Sequence, residues 1–338
     1  MSSKLKTLFR TSLGSAVVGD SLDLLAGLPS ESVDLVVTSP PFPLLRPKSY
    51  GNADQHEYVE WLCGFAPHVL RVLKPTGSYV LDLGGSYQRG VPVRSLHQFR
   101  VLLRHVDDFG FHLAEEFYWH NPSKLPSPIE WVNKRKIRVK DTVNTVWWLS
   151  KSHWPKANVA EVLAPYSERM KTLLRDPAKF YTPKDRPSGH RIGAGFAKDN
   201  GGAIPSNLIQ LANSESNGRY LQLCKALDIE PHPARFPAGL PEFFVKFLTD
   251  EGDCVVDPFG GSGTTGEVAQ RLGRRWHTCD LDRDYVRGAL FRFVADLDHG
   301  AVRALLRDAD DGTQPLLQPQ QQGLFDSAAG LSRTVAGR

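Results

Sequence analysis

The chain has 338 residues, more than one domain usually holds, and this length predicts about two compact units. Hydrophobic residues make up 41% and charged residues 23%, which excludes a collagen-like chain, a coiled coil and wholesale disorder. Lysine and arginine exceed the acidic residues by 41 to 37, and the net charge of +4 permits nucleic-acid binding without arguing for it. No apolar run approaches the roughly 20 residues that span a bilayer, and the N-terminus lacks an apolar signal core. We therefore expect a cytoplasmic protein.

Four cysteines, Cys63, Cys224, Cys254 and Cys279, lie far apart and form no Cys-x-x-Cys pair. This spacing is typical neither of a zinc site nor of a disulfide framework. We expect reduced, mostly buried thiols and no bound metal.

Short apolar runs predict seven strands, and amphipathic helical stretches separate most of them. In chain order the strands cover residues 15–19, 33–38, 78–83, 112–119, 143–149, 253–257 and 275–280. Helices are predicted at 57–73, ended by the turn Lys74-Pro-Thr-Gly77, and at 95–109, ended by Gly110. The alternation of strands and helices predicts an α/β protein built on one sheet.

Composition divides the chain into four parts. Residues 1–150 and 232–300 are predicted to form the two halves of the α/β domain. Residues 151–231 are rich in Pro, Gly, Ser, Asn and basic residues, which predicts an inserted, loop-rich unit. Residues 301–338 turn to Asp, Gly, Gln and Pro, and we expect a disordered tail there because this composition buries too little apolar surface.

The clearest strand–turn–helix–strand unit lies late in the chain. Its first strand ends at Asp257, a glycine turn spans 258–266, and its second strand ends at Asp280. The turn satisfies the Gly-x-Gly-x-x-Gly fingerprint of dinucleotide sites, which alone is weak evidence. Too little chain follows Asp280 to complete a doubly wound sheet, so the missing strands must lie upstream. The sequence therefore predicts a circularly permuted, Rossmann-like sheet whose nucleotide-binding end is encoded last.

A second informative segment, Ser39-Pro40-Pro41-Phe42, directly follows the buried strand 33–38. Two consecutive prolines fix the backbone and remove its N–H donors, so the segment presents rigid carbonyl acceptors. Ser39 adds a side-chain acceptor and Phe42 a flat apolar face, which suits a planar ring that bears an amino group. Taken alone, such a segment is more often a plain strand terminator.

The pair of Ser39-Pro-Pro-Phe42 and Asp257-Pro-Phe-Gly-Gly-Ser-Gly-Thr264 resembles the amino-group DNA methyltransferases that use S-adenosylmethionine. With the proline segment first and the glycine turn last, the order is similar to their β class. The resemblance covers residues 15–295 and, within that class, is most specific for cytosine-N4 enzymes of restriction–modification systems. It is also carried by segments 50–52, 121–138, 187–190, 214–218 and 232–237.

This resemblance implies an S-adenosylmethionine site in the C-terminal half. Asp257 is expected to receive the methionine ammonium and Asp280 the ribose hydroxyls. Asp20 is similar to the acid that meets the adenine amino group, although it is equally a helix N-cap. The expected cofactor-binding residues are Asp20, Phe236, Pro237, Asp257, Phe259, Gly260, Gly261, Ser262, Gly263, Thr264 and Asp280.

The resemblance also implies the reaction, transfer of a methyl group to cytosine N4 in a short palindromic target such as CAGCTG. Acceptors at Ser39 and the Pro40 carbonyl would hold the amino hydrogens out of plane, and Phe42 would stack on a flipped base. Methylation at C5 needs a thiolate nucleophile, and no cysteine follows a proline after a strand. Adenine N6 stays open as a target, as does a non-catalytic DNA-binding role. A dehydrogenase leaves Ser39-Pro-Pro-Phe42 unexplained.

Two surface features predict macromolecular partners. A run of exposed-type basic residues, Lys134, Arg135, Lys136, Arg138 and Lys140, predicts phosphate contacts of double-stranded DNA. Residues 151–231 are the expected target-recognition region, with Arg186, Ser188, His190 and Arg191 at its centre. The implied location is the nucleoid, and a cognate endonuclease would share the DNA site without contacting this chain.

The tail carries a third candidate for partner binding. Gln321, Leu324 and Phe325 resemble a pentapeptide with which bacterial DNA-handling enzymes dock on the sliding clamp. A disordered tether could deliver two apolar side chains into a pocket of such a partner. A chance match in a Gln-rich tail is the alternative.

Overall fold

The computed structural model describes residues 5–43, 57–177, 198–213, 218–294 and 296–318. These residues form one sheet of nine strands. The strands are β1 (Lys6–Arg10), β2 (Gly14–Val18), β3 (Val33–Thr38), β4 (Leu73–Gly84), β5 (His112–His120), β6 (Val143–Ser150), β7 (Leu208–Gln210), β8 (Cys254–Asp257) and β9 (Arg275–Asp280).

Helices cover both faces of this sheet. They are α1 (Ser21–Gly27), α2 (Tyr58–Cys63), α3 (Ala66–Val72), α4 (His97–Asp107), α5 (Glu168–Arg175), α6 (Arg219–Ala226), α7 (Gly239–Leu248), α8 (Thr264–Arg271), α9 (Arg283–Ala289) and α10 (His299–Asp311). One apolar core lies under α1 to α4, and the other lies under α6 to α10. None of these helices is long and apolar enough to cross a membrane.

The order of the strands confirms the predicted permutation. Across the sheet the order is β1-β2-β9-β8-β3-β4-β6-β5-β7, so the late strands β8 and β9 lie between the early strands β2 and β3. Strands β2, β9, β8, β3 and β4 run parallel, and their carboxyl ends therefore meet at one edge. Ligands of doubly wound sheets bind outside that edge, where the strand order reverses.

All seven predicted strands are present, and β3 and β9 have the predicted bounds. The count of seven is too low, because β1 and β7 add to the two edges of the sheet. The helix predicted at 57–73 is two helices, α2 and α3, which meet at Gly64 and Phe65. Pro67 in the first turn of α3 lacks an N–H, which a continuous helix would need there.

The described part of the predicted tail is ordered, which corrects the boundary at residue 301. Helix α10 continues to Asp311 and buries Val302, Leu306 and Ala309. Leu317 is 3% exposed, and its N–H donates to the Arg10 carbonyl of β1 at 2.8 Å. This segment is ordered because its apolar residues recur at helical spacing in 302–309. The aspartates around them made the segment resemble a disordered tail in composition.

The predicted recognition region, 151–231, is not wholly separate from the sheet domain. Its strand β7 pairs with β5, and α6 buries Tyr220, Leu223 and Cys224 in the core. Residues 178–197, which include Arg186, Ser188, His190 and Arg191, lie outside the described residues. Gln321, Leu324 and Phe325 lie outside them as well.

Candidate active site

A cavity of about 1450 Å³ opens at the carboxyl edge of the sheet. Twelve of the predicted site residues line it: Asp20, Ser39, Pro40, Pro41, Phe42, Phe236, Phe259, Gly260, Gly261, Ser262, Thr264 and Asp280. The two sequence segments that lie far apart in the chain thus face the same space. One end of the cavity is built by the loop after β3 and the end of β4, and the other by the turn after β8 and the end of β9.

Ser39 is held by a buried carboxylate that the sequence did not reveal. Its hydroxyl donates to Oδ2 of Asp82 at 3.0 Å, and Oδ1 of Asp82 accepts from Nδ2 of Asn144 at 3.1 Å. Asp82 lies inside β4 and is 4% exposed. Burial raises the pKa of Asp82 to about 6, although the hydrogen bonds from Ser39 and Asn144 act in the opposite direction. With its proton directed to Asp82, Ser39 turns oxygen lone pairs toward the cavity.

Phe42 packs against the backbone of Gly84 at the end of β4. A Cβ atom at Gly84 would lie 2.5 Å from Cε2 of the Phe42 ring, so only glycine permits this contact. His97 lies behind Gly84 and donates from Nε2 to its carbonyl at 3.2 Å. Burial lowers the pKa of His97 to about 4, so its ring is neutral and can hold this bond at ordinary pH.

Asp257 does not reach the cavity, which corrects its expected contact with an ammonium group. It is 1% exposed, and its carboxylate accepts from the hydroxyls of Thr38 at 2.5 Å and Thr265 at 2.6 Å. It also accepts from the N–H of Phe259 at 3.0 Å. Asp257 therefore joins β3, the glycine turn and α8, and positions the cavity wall from behind. Three donors engage its two oxygens, and its side chain does not line the cavity.

The glycine turn is fixed by Asp280. Oδ2 of Asp280 accepts from the N–H of Gly261 at 2.9 Å, and Oδ1 accepts from Asp282 at 3.0 Å. Burial raises the pKa of Asp280 to about 6. Gly263 does not line the cavity, because it turns toward α9, where a Cβ would lie 2.7 Å from that of Ala289.

An aromatic wall lies beside this turn. Trp61, Phe65 and Phe259 line the cavity together, with ring centroids 5.0–5.6 Å apart. Such a wall suits a planar heteroaromatic ring. Asp20 lines the cavity and also caps α1, where its side chain accepts from the N–H of Leu22 at 2.9 Å. Both expectations for Asp20 are compatible with this position.

Part of the 232–237 segment, from His232 to Phe236, also lines the cavity. The His232 ring lies within 3.2 Å of where a Cβ of Gly261 would stand. Phe236 lines the cavity, whereas Pro237 is buried outside it and accepts from the N–H of Leu240 at the start of α7. Pro237 therefore sets the entry of a helix and makes no contact within the cavity.

The basic run is exposed, but part of it is already paired. Lys134 and Arg135 contact the Glu130 carboxylate at 3.3 and 3.0 Å. Arg138 donates to the Pro92 carbonyl at 2.8 Å, and Lys140 to the Pro122 carbonyl at 3.4 Å. Exposed ion pairs of this kind contribute little stability, so they hold the cations only weakly.

Sequence reasoning missed several residues that line the cavity. Asp82, Asn144 and Lys124 belong to this group, as do Trp61 and Phe65. Lys124 lies within segment 121–138, but that segment did not single it out, and the other four stand in no motif. The available indication was position, since Asp82 stands near the carboxyl end of a predicted strand whose neighbour carries Ser39.

Comparison with known proteins agrees with this geometry. A family model of DNA methylases (N6_N4_Mtase) matches residues 33–291. The type II methyltransferase M.PvuII of Proteus hauseri is 62% identical over 289 residues, which cover 86% of either chain. M.SfiI of Streptomyces fimbriatus is 36% identical over 80% of this chain and 88% of the relative. A solved structure described as PvuII DNA methyltransferase (cytosine-N4-specific) superimposes with a TM-score of 0.75 and 48% identity, over 93% of this chain and 98% of that one.

Proposed function

This chain belongs to the DNA methylase family, and on that basis we propose that it methylates the N4 amino group of cytosine in double-stranded DNA. Its methyl donor is S-adenosylmethionine, and its role is that of the modification enzyme of a type II restriction–modification system. The observation that carries the proposal is the Ser39 hydroxyl, fixed by Asp82 beside the Phe42 ring in the cavity.

The amino nitrogen of cytosine is a poor nucleophile because its lone pair is delocalised into the ring. Ser39 Oγ and the Pro40 carbonyl can accept its two hydrogens, which draws the lone pair out of the ring plane. When the nitrogen forms its bond to the methyl carbon, it carries one proton too many. Ser39 Oγ takes that proton and passes its own to Oδ2 of Asp82, 3.0 Å away. The raised pKa of Asp82, about 6, suits this temporary proton acceptor.

The base must leave the duplex to reach Ser39, since an amino group inside the stack cannot meet a cavity at a sheet edge. Phe42 offers a stacking face for the extrahelical ring, and the Gly84 backbone fixes the tilt of that face. Stacking offsets part of the few kcal/mol that extrusion costs.

The other end of the cavity fits S-adenosylmethionine, which when bound supplies an electrophilic methyl group on a sulfonium. The aromatic wall of Trp61, Phe65 and Phe259 suits its adenine ring. Asp280 is oriented by two backbone N–H groups and retains lone pairs for the ribose hydroxyls. Gly260 and Gly261 line the cavity with their backbone, and glycine is needed there because a Cβ would lie 2.9 Å from Thr278 at Gly260 and 3.1 Å from the His232 ring at Gly261. Phe236 also lines the cavity.

Cytosine N4 is favoured over adenine N6 by the solved relative of 48% identity, which is described as cytosine-N4-specific. Serine at position 39 agrees with that choice. A non-catalytic role is disfavoured because Ser39, Asp82 and Phe42 are all present and mutually arranged for chemistry.

The palindrome CAGCTG is the target we propose, with residues 151–231 reading its bases and the basic run meeting its phosphates. Acting on DNA, the enzyme would work in the cytoplasm at the nucleoid. A cognate endonuclease would act on the same sequence and need not touch this chain.

Sequencing of DNA from a methylation-free host that expresses the protein tests this assignment. Single-molecule sequencing that reports modification at each base should find N4-methylcytosine at one palindrome. Expression of the Ser39→Ala variant should leave that palindrome unmodified or sparsely modified. Modified adenine at the site, with unmodified cytosine, would replace the cytosine assignment with the N6 alternative.

The tail adds one further proposal, docking on a bacterial sliding clamp through Gln321, Leu324 and Phe325. A peptide of residues 319–327 should bind a clamp in calorimetric titration, and the Leu324→Ala/Phe325→Ala peptide should not. Equal binding of both peptides would show that this segment does not dock on the clamp.

A further inference from the structure

The first part of the connection between β5 and β6 forms part of the cavity lining. This rim loop, residues 121–128, places Asn121, Lys124, Ser127 and Pro128 on the cavity lining. Between them Leu125 is 80% exposed and does not line the cavity. An apolar side chain at such a position contributes little to packing in the folded chain.

The rim loop is braced along its length. Oδ1 of Asn121 accepts from the N–H and the hydroxyl of Ser123 at 3.1 and 2.8 Å. The Asp141 N–H donates to the Ser127 carbonyl at 3.2 Å, and Lys140 Nζ donates to the Pro122 carbonyl at 3.4 Å. Leu125 is therefore presented on a fixed support, which makes insertion into a partner cost less conformational entropy.

The loop lies close to the catalytic end of the cavity. Burial raises the pKa of Asp82 to about 6, and the charge of Lys124 opposes that rise, so the Lys124 ammonium lies within electrostatic range of Asp82. Leu125 follows Lys124 directly, at the mouth through which a base would enter. The exposed basic residues 134–140, which are tied to this loop through Lys140, can hold a duplex against the same mouth.

Extrusion of a base leaves a gap in the stack that water fills poorly. Proteins that distort DNA often insert an apolar side chain such as Leu between bases, which offsets the lost stacking. A single exposed leucine is ordinary on a protein surface. What distinguishes Leu125 is its place beside the base pocket, on a braced loop, next to cationic residues.

We propose that Leu125 enters the duplex where the flipped cytosine has left and stabilises the extrahelical state of that base. The inference rests on the proposed function and names Leu125 as the residue that supports base flipping. In this proposal Lys124 lines the cavity that receives the flipped base, and Leu125 fills the gap that the base leaves in the duplex.

Single-turnover methylation rates on two duplexes test this role. One duplex carries the target cytosine opposite guanine, and the other carries it opposite an abasic site, where no base pair has to be broken. Leu125→Ala should methylate the paired duplex about tenfold more slowly than wild type or worse, and the orphan-base duplex within about threefold of wild type. The affinity for S-adenosylmethionine should stay unchanged.

Two variants serve as controls. Leu316→Ala removes a leucine that is 63% exposed next to β1 and should match wild type on both duplexes. Val139→Ala removes an 87% exposed side chain of the basic run and should have a smaller effect than Leu125→Ala on the paired duplex.

The assignment would be overturned if Leu125→Ala slowed methylation equally on both duplexes or on neither. It would also be overturned if only Val139→Ala slowed methylation. Failure of the proposed function is recognised separately, because wild-type protein would then leave cytosine N4 unmethylated in both duplexes.

Discussion

At the scale of single residues, the proposed proton path makes the reaction depend on the protonation of Asp82. This carboxylate accepts the Ser39 proton only when it is ionised, and its pKa is raised by burial to about 6. The turnover number at saturating substrates should therefore fall about tenfold per pH unit below pH 6 and level off above it. Asp280, whose pKa burial also raises to about 6, should instead weaken cofactor binding as it is protonated, and so appear in KM.

Asp82→Asn removes this proton acceptor without changing the shape of the site. The new amide donates toward either Ser39 or Asn144, so one existing hydrogen bond reverses or is broken. We expect turnover to fall by about 10²-fold or more and its acid limb near pH 6 to disappear.

The folded-state pKa of Asp82 lies above its ordinary value, so the stability contributed by this group is lost as pH rises through about 6. The uncharged variant should therefore melt at pH 8 no lower than wild type. An unchanged pH profile of turnover in Asp82→Asn would remove Asp82 from the proton path.

Gly84→Ala tests the stacking face. The added methyl group would stand 2.5 Å from the Phe42 ring and must displace it. Methylation should slow by about tenfold or more while cofactor affinity holds, because the ring no longer meets the base. Gly27→Ala, where a Cβ meets nothing within 4 Å, is the matched control and should behave as wild type. Wild-type rates in Gly84→Ala would show that the ring position does not matter.

Residue types alone identified Ser39 and Phe42 but not Asp82. Ser39 and Phe42 stand in a segment whose two prolines make it recognisable as a motif. Asp82 is a single acid in an apolar strand, where many different donors could hydrogen-bond to its carboxylate. Similarly, the position of Asp257 at a strand end was predictable but its three donors were not, because the sequence does not tell how many donors surround a carboxylate.

At the scale of elements, Asp257 connects three segments that meet at the cavity. Asp257→Ala would strand the Thr38 and Thr265 hydroxyls and the Phe259 N–H, at a cost of about 1–3 kcal/mol in the free energy of unfolding. The loosened turn should also raise the dissociation constant for S-adenosylmethionine.

A second buried strand carboxylate provides the control for Asp257. Asp34, 5% exposed near the start of β3, pairs with Lys74 at 2.8 Å and accepts from the Cys254 N–H. Asp34→Ala should lower stability but leave cofactor affinity intact, since this end of the strand is remote from the cavity. Equal cofactor affinity in both variants would contradict a positioning role for Asp257.

The strands were predictable because buried parallel strands are continuous apolar runs, as in Val33–Thr38. Short edge strands escaped prediction, since β7 has three residues and an exposed–intermediate–exposed pattern without an apolar run. Helix α10 escaped for a different reason, because the acidic composition of its segment obscures its buried stripe of Val302, Leu306 and Ala309.

At the scale of the whole molecule, permutation explains how residues far apart in sequence share one cavity. Strands β8 and β9, encoded last, lie beside β3 and β2, so the glycine turn faces Ser39 across a parallel edge. The sequence predicted this arrangement because an isolated C-terminal unit could not complete a sheet alone. Nothing in composition indicated how deeply residues 208–231 are built into the domain.

DNA binding should depend on the basic run of residues 134–140. A substitution that removes one cation–phosphate interaction should reduce the slope of log K against log salt by about one. Lys136→Gln should therefore weaken DNA binding and flatten this slope. Fluorescence anisotropy from about 50 to about 300 mM salt, a range that brackets about 150 mM, measures both. Lys6→Gln, an exposed lysine on the edge strand β1, is the control and should leave the slope unchanged. Equal slopes for both variants would show that DNA phosphates do not contact this run.

The most direct measurement is mass spectrometry of the nucleosides from unmethylated DNA treated with purified protein and S-adenosylmethionine. We predict N4-methyldeoxycytidine as the product, formed by wild type and reduced about 10²-fold or more with Asp82→Asn. Formation of 5-methyldeoxycytidine or N6-methyldeoxyadenosine in its place, or equal product from both proteins, would contradict amino-group transfer to cytosine through Ser39 and Asp82.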